Sequence, residues 1–161
     1  MAKSKSKTKK VACQFEIAID NTPDVMGGFQ PGLKALSSNS SLIEVADTRL
    51  IDGSLDIDKK VQALYPNDNR WDYAISYNSK VCFVEVHPAE TSQVTIMINK
   101  YNWLKSWLSN CAPDIYSLKK YEPSYVWVAS GRNGLLRTSK EYRKLSVSGI
   151  HGPISKLKLT T

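Results

Sequence analysis

A chain of 161 residues, 42% of them hydrophobic, is long enough to bury one substantial core, and no apolar run approaches the roughly 18 residues that a bilayer span requires. Cys13, Cys82 and Cys111 are odd in number, far apart and without a CxxC pair, which excludes a disulfide framework or a zinc ribbon and leaves them as small buried hydrophobes. The net charge of +7 is uneven: residues 1–10 carry +5, residues 131–161 carry +6, and the stretch between them is acidic at −4. Basic ends around an acidic middle suit a polyanionic partner, with a tail that merely aids solubility as the blander alternative.

Residues 1–10, MAKSKSKTKK, form a low-complexity basic tail expected to be disordered, and residues 11–161 form a single domain. The basic start and the apolar VACQFEIAI behind it do not make a signal peptide, because Gln14 and Glu16 interrupt the apolar part and no small-residue cleavage site follows. The expected location is cytoplasmic. Residues 11–19 fit either a strand or the first turns of a helix. Pro23, Gly27, Gly28 and Pro31 make residues 20–32 a loop, followed by a helical turn at 33–36 and a polar linker at 37–41. Residues 42–47 alternate as a strand from which Glu44 could approach a site, and Asp52-Gly53 is a turn signal. Residues 56–65 have apolar positions at 57, 61 and 64, which favours a short helix stopped by Pro66.

The next stretch, residues 70–87, reads RWDYAISYNSKVCFVEVH. Two aromatic and β-branched runs, 71–76 and 81–86, flank the polar Tyr77-Asn78-Ser79-Lys80, so the segment is expected to be an antiparallel hairpin. With Asn78 and Ser79 at the tip of a two-residue turn, Asp72 faces Glu85 and Arg70 faces His87. Alternation then places Asp72, Ala74, Ser76, Val81, Phe83, Glu85 and His87 on one face, and Trp71, Tyr73, Ile75, Cys82, Val84 and Val86 on the other. Opposed side chains lie about 4.5–5.5 Å apart, where two carboxylates repel. Three remedies exist: a raised pKa, a nearby cation such as Arg70, or a bridging Mg²⁺ or Mn²⁺. The competing reading has Asp72 capping the strand start and Glu85 solvated at an edge.

Pro88 is expected to end the second strand, and a helix capped near Thr91 or Ser92 to run to about Asn110, with apolar residues at 94, 97, 101, 104 and 108 and a second stripe at Ile96, Trp103 and Trp107. These tryptophans are assigned to packing. Residues 124–130, SYVWVAS, suit a buried central strand. The SGRNG that follows lacks the full phosphate-binding fingerprint and reads as a turn, and Thr138 to Glu141 is a capping box opening a short helix to about Leu145. Arg132, Arg137, Lys140, Arg143 and Lys144 are candidates for a nucleic-acid backbone contact, whereas His151 has no partner at ligand spacing.

The order hairpin, helix, strand, helix, with Trp71-Asp72 in the first hairpin strand and Glu85-Val86-His87 ending the second, resembles the PD-(D/E)XK nuclease superfamily over roughly residues 40–145. The resemblance implies an α/β restriction-endonuclease-like core, a central mixed β-sheet flanked by helices, and a metal-dependent nuclease. By the same resemblance Asp72 and Glu85 hold Mg²⁺ or Mn²⁺, and the position two residues after the second acid is catalytic. That position is a lysine in the family and His87 here; Arg70 or Lys100 would supply the missing positive charge. The implied partner is nucleic acid, DNA ahead of RNA, with no membrane and with a homodimer compatible. Two other readings stay open: a non-catalytic nucleic-acid-binding protein on the same fold, and a protein-interaction domain.

Overall fold

The computed structural model describes residues 10–161, so the expected basic tail lies, but for Lys10, outside the described residues. In chain order the elements are α1 (Gln14–Asp20), β1 (Ile43–Val45), β2 (Ile51–Asp56), α2 (Ile57–Val61), β3 (Tyr73–Tyr77), β4 (Lys80–Ala89), α3 (Val94–Asn110), α4 (Pro113–Tyr116), β5 (Lys120–Asn133), α5 (Lys140–Ser146), β6 (His151–Ile154) and β7 (Leu157–Leu159), with 3₁₀ turns between some of them. Five strands form one mixed sheet in the order β2-β3-β4-β5-β6. The first three make an antiparallel meander, and β5 and β6 then add in parallel. β2, β4, β5 and β6 therefore run in one direction, and their carboxyl ends share one edge of the sheet.

The hairpin forms in the register that its turn chemistry requires. Tyr73 pairs with Val84, Ile75 with Cys82 and Tyr77 with Lys80, while Asn78 and Ser79 both take positive φ, 49° and 61°, as a two-residue turn matched to strand twist demands. The Asp52 carboxylate fastens this tip, accepting hydrogen bonds from Ser76 Oγ and from the Ser79 N–H, both at 2.8 Å.

Alternation divides the core between the two faces of the sheet. Ala74, Val81 and Phe83 face a cluster with Phe15 of α1, Val61 of α2, Met97, Leu104 and Leu108 of α3, and Leu145 of α5. The predicted stripe at 94, 97, 101, 104 and 108 is buried throughout. Ile75, Tyr77, Cys82 and Val84 face the other way, under Ala35, Leu36 and a two-stranded parallel sheet made by β1 and β7. Trp71 departs from the expected alternation and lies in the cluster of Ala74, because regular pairing starts only at Tyr73.

Several boundaries differ from the sequence expectation for identifiable reasons. Within residues 11–19 the choice falls to helix, α1 starting at Gln14 and capped by the Cys13 side chain. Asp52-Gly53 is no turn: it lies within β2 at a bulge, where a Cβ on Gly53 would collide with the Phe29 ring. β1 exists but pairs with β7 instead of joining the main sheet. The helix expected over 56–65 ends at Val61, and Asp56 is its cap. Pro88 does not end β4: the strand continues to Ala89 across a register shift, which accommodates the missing N–H. β5 extends well beyond 124–130 and takes in Gly131 of SGRNG, while its buried residues 126–129 lie inside the sheet between β4 and β6, as the apolar run suggested. The cap of α5 is Ser139, whose hydroxyl accepts the Tyr142 N–H, rather than Thr138. β6 and β7 fall in a stretch to which the sequence assigned no structure.

The turn makes a direct test of this register. Ser79 holds a left-handed conformation at φ 61° with a side chain that glycine lacks, so Ser79→Gly is expected to raise unfolding stability by about 0.5–1 kcal/mol in urea denaturation. A loss of stability would contradict the turn as described.

Candidate active site

At the open end of the hairpin the backbone ladder gives way to side chains. The Asp72 N–H donates to Glu85 Oε2 at 2.8 Å, and the Val86 N–H donates to Asp72 Oδ2 at 3.1 Å. Each acid thus accepts a main-chain hydrogen from the opposite strand, and the expected facing of Asp72 and Glu85 is what the chain adopts. On its other side the Asp72 carbonyl accepts the N–H groups of Ile57 and Asp58, at 2.8 and 3.3 Å, which ties the start of α2 to the same point.

Glu85 shares the parity of Val81 and Phe83, so it points to the face covered by α3. Its side chain is 1% exposed. Lys100 reaches down from α3 and sets its ammonium 2.5 Å from Glu85 Oε1. It can do so because it sits three residues after Met97 and four before Leu104, both buried. His87, two residues beyond Glu85 on the same face, turns Nδ1 to within 3.9 Å of Glu85 Oε1 and bonds Nε2 to Gln93 Oε1 at 2.8 Å. The Gln93 amide thus orients the ring, and Nδ1 is the ring nitrogen turned toward Glu85. The His87 carbonyl accepts Trp127 Nε1 at 3.0 Å, which fixes the strand end from β5.

These contacts bear on two of the three remedies for like charge. Burial pushes the Glu85 carboxyl up from 4.5 to about 8, the Asp72 charge pushes it the same way, and Lys100 opposes both. Burial also raises Asp72, against the pull of Lys100 and of the Val86 N–H, with the Asp58 and Asp56 charges adding to the rise. The first two remedies, a raised pKa and a neighbouring cation, are therefore both present. The cation is Lys100 and not Arg70, whose guanidinium turns away to Asp58 Oδ1 and the Tyr65 carbonyl, both at 2.7 Å.

Other candidates are placed elsewhere. Glu44 lies on β1, 3.9 Å from the ammonium groups of both Lys156 and Lys158, and takes no part. Arg132, Arg137, Lys140, Arg143 and Lys144 are all exposed and none pairs with a carboxylate among the described residues. The loop carrying Arg137 is tied to the end of β4 by the Gly134 N–H on the Ala89 carbonyl at 2.8 Å. Arg137 lines a groove of about 290 Å³ together with Tyr142 and His151, which gives that exposed histidine a place at this edge. Gln93, Asp56 and Asp58 escaped the sequence reading. A spacing of seven between Gln93 and Lys100, two helical turns, was the one available signal for Gln93.

Compared with models of protein families, with curated proteins and with solved structures, the chain finds no match. No helix among the described residues is long and apolar enough to cross a membrane.

Two measurements check the electrostatics. A carboxyl held near 8 in the folded chain keeps its proton where the unfolded chain, near 4.5, has lost it, so the metal-free protein should lose stability as pH rises between those values. Thermal unfolding in EDTA should show this decline, and Glu85→Gln should flatten it. In an NMR titration, Lys100→Met should move the Glu85 midpoint upward, because the ammonium is what holds it down; a downward shift would contradict the contact.

Proposed function

We propose that the chain is a metal-dependent nuclease that hydrolyses phosphodiester bonds at the Asp72, Glu85, Lys100 and His87 cluster. The observation that carries this reading is the buried Glu85 carboxyl, joined to Asp72 across the hairpin and met by an ammonium from the next helix, at the edge where four strands present their carboxyl ends. Burying such a group is a poor device for stability, and strongly perturbed carboxyls in such places are enriched at functional sites. Ligands of open α/β sheets also gather at that edge. The succession of hairpin, crossover helix, parallel strand and helix supports the resemblance to the restriction-endonuclease-like core, and Lys100 brings from a helix the charge that the family places two residues after the second acid.

The donor set suits Mg²⁺ or Mn²⁺. Asp72 and Glu85 offer hard oxygens, and the described residues hold no cluster of three or more His, Cys, Asp or Glu able to bind a metal. Mg²⁺ accepts that economy, since it keeps several waters and takes one or two carboxylates plus substrate phosphate oxygens. Asp72 and Glu85 would hold the ion, which supplies Lewis acidity toward the scissile phosphate and a nucleophile at neutral pH.

The rest belongs to the chain itself. Asp72 and Glu85 are held in place by opposite-strand N–H groups, so neither swings free when substrate binds. Lys100 favours the anionic form of Glu85 and stands beside it as a cation for the phosphate. His87 Nδ1 is placed to take a proton at the Glu85 side, while Gln93 holds the ring in orientation. The exposed Arg137, Lys140, Arg143 and Lys144 contact the backbone of the bound strand.

Cleavage of single- and double-stranded DNA and of RNA with Mg²⁺ or Mn²⁺ tests the proposal. Asp72→Asn and Glu85→Gln should each lower the rate by about 10²-fold or more, with His87→Ala and Lys100→Met also impaired. Cleavage by Asp72→Asn at the wild-type rate would remove the site. The contact of Lys100 with a fully buried Glu85 favours one second reading, a nucleic-acid-binding protein on the same fold without chemistry; binding in EDTA with no turnover in any divalent ion would select it.

A further inference from the structure

The carboxyl edge of the sheet has a second basic wall to which the sequence reading assigned nothing. On the β2 side, a cleft of about 390 Å³ is lined by Lys34, Lys59 and Lys60 together with Gly27, Gly28 and Ser37. All three lysines are exposed, and none pairs with a carboxylate among the described residues. The one acid in the lining is Asp56, which caps α2 by accepting the Lys59 N–H at 2.8 Å. Three ammonium groups against one carboxylate leave the cleft cationic, in the part of the chain whose overall charge is negative.

The cleft is built rather than accidental. Gly28 lies so close to its neighbours that a Cβ would stand 2.8 Å from the Val25 carbonyl oxygen and 3.2 Å from Lys60 Cγ, so only glycine brings the loop against α2 here. Ser37, on the facing wall, holds φ 50° and ψ −127°, a backbone state that non-glycine residues rarely adopt. Asp56 also joins the cleft to the acid pair: it is the β2 partner of Tyr73, the residue after Asp72, and its charge acts on the Asp72 carboxyl.

We propose that Lys34, Lys59 and Lys60 bind the phosphodiester backbone of a nucleic acid, on the side of the acid pair opposite Arg137 and α5. This inference rests on the nuclease reading for its orientation and deepens it by naming where the strand runs. Adjacent strands lie about 4.8 Å apart, so β2 and β6 are separated by roughly 19 Å across the edge. That span covers roughly six phosphates along one strand of a duplex, with Asp72 and Glu85 between the two basic walls.

The test is fluorescence anisotropy in EDTA, with labelled DNA and RNA oligonucleotides of one sequence titrated between 50 and 200 mM salt. Relative to wild type, the triple variant Lys34→Gln, Lys59→Gln, Lys60→Gln should bind about tenfold or more weakly at low salt, with a log–log salt slope less steep by about 2.7 for duplex DNA and about 2 for single strands. The triple Lys→Arg variant should keep its affinity, which separates charge from folding. Lys105→Gln, Lys119→Gln, Lys158→Gln, with equal charge loss elsewhere, should bind as wild type does. Equal losses on DNA and RNA support the backbone assignment, since the phosphates are common to both. Unchanged binding by the Lys→Gln triple, a loss confined to one nucleic acid, or an equal loss toward polyglutamate overturns it. Because metal is excluded, binding that depends on the three lysines in a chain that never cleaves would support the cleft and remove the nuclease reading. Cleavage with unchanged affinity in the triple variant would remove the cleft alone.

Discussion

Two carboxyl groups that ought to repel are instead made structural by exchange: each accepts a main-chain hydrogen from the strand that carries the other. Much of the acid end follows from that crossing. It closes the hairpin where regular pairing stops, brings the start of α2 against Asp72, and leaves Glu85 buried with one oxygen for Lys100. The helix that supplies Lys100 is in turn fixed by its apolar stripe, so the position of one ammonium depends on Met97, Leu104 and Leu108 packing under it. Electrostatics at this end of the sheet are set by hydrophobic contacts on either side of it.

The division of the core follows the same logic. A strand that alternates apolar residues on both faces must be covered twice, and β3 and β4 are covered by helices on one side and by a thin layer of 3₁₀ turns with a two-stranded sheet on the other. The thicker layer is the one that carries the side chains of the proposed site. Glu85, His87 and Lys100 all lie on the helical face, where a long side chain has a rigid element to project from. Catalytic groups placed on elements of that kind hold their geometry better than groups on loops.

What the residues disclosed in advance was local. The hairpin register could be read because a two-residue turn leaves one pairing compatible with the apolar alternation, and the α3 stripe because its steps of three and four extend over four turns. Arg70 was misplaced by extrapolating that alternation two residue pairs beyond Asp72, into a segment that had already left the strand. β6 and β7 were missed because strands of four and three residues, the first holding Gly152 and Pro153, are too short to carry a periodic signal, and their pairing is decided by partners elsewhere in the chain. The cationic cleft was illegible for a related reason. Lys34 lies 25 residues before Lys59, and nothing in the intervening sequence says that a glycine pair will fold one against the other.

The pairing of β1 with β7 joins residues 43–45 to residues 157–159. More than a hundred residues separate the two partners, so closing that ladder is among the most non-local events in the fold, and contacts of that kind form slowly. Ile43, Leu157 and Leu159 help cover the sheet face that holds Tyr77, Cys82 and Val84. Until β7 docks, that face stays partly uncovered, whereas the helical side has its cover from α1, α2, α3 and α5. The hairpin's second face is therefore the side whose cover waits on a contact between distant parts of the sequence.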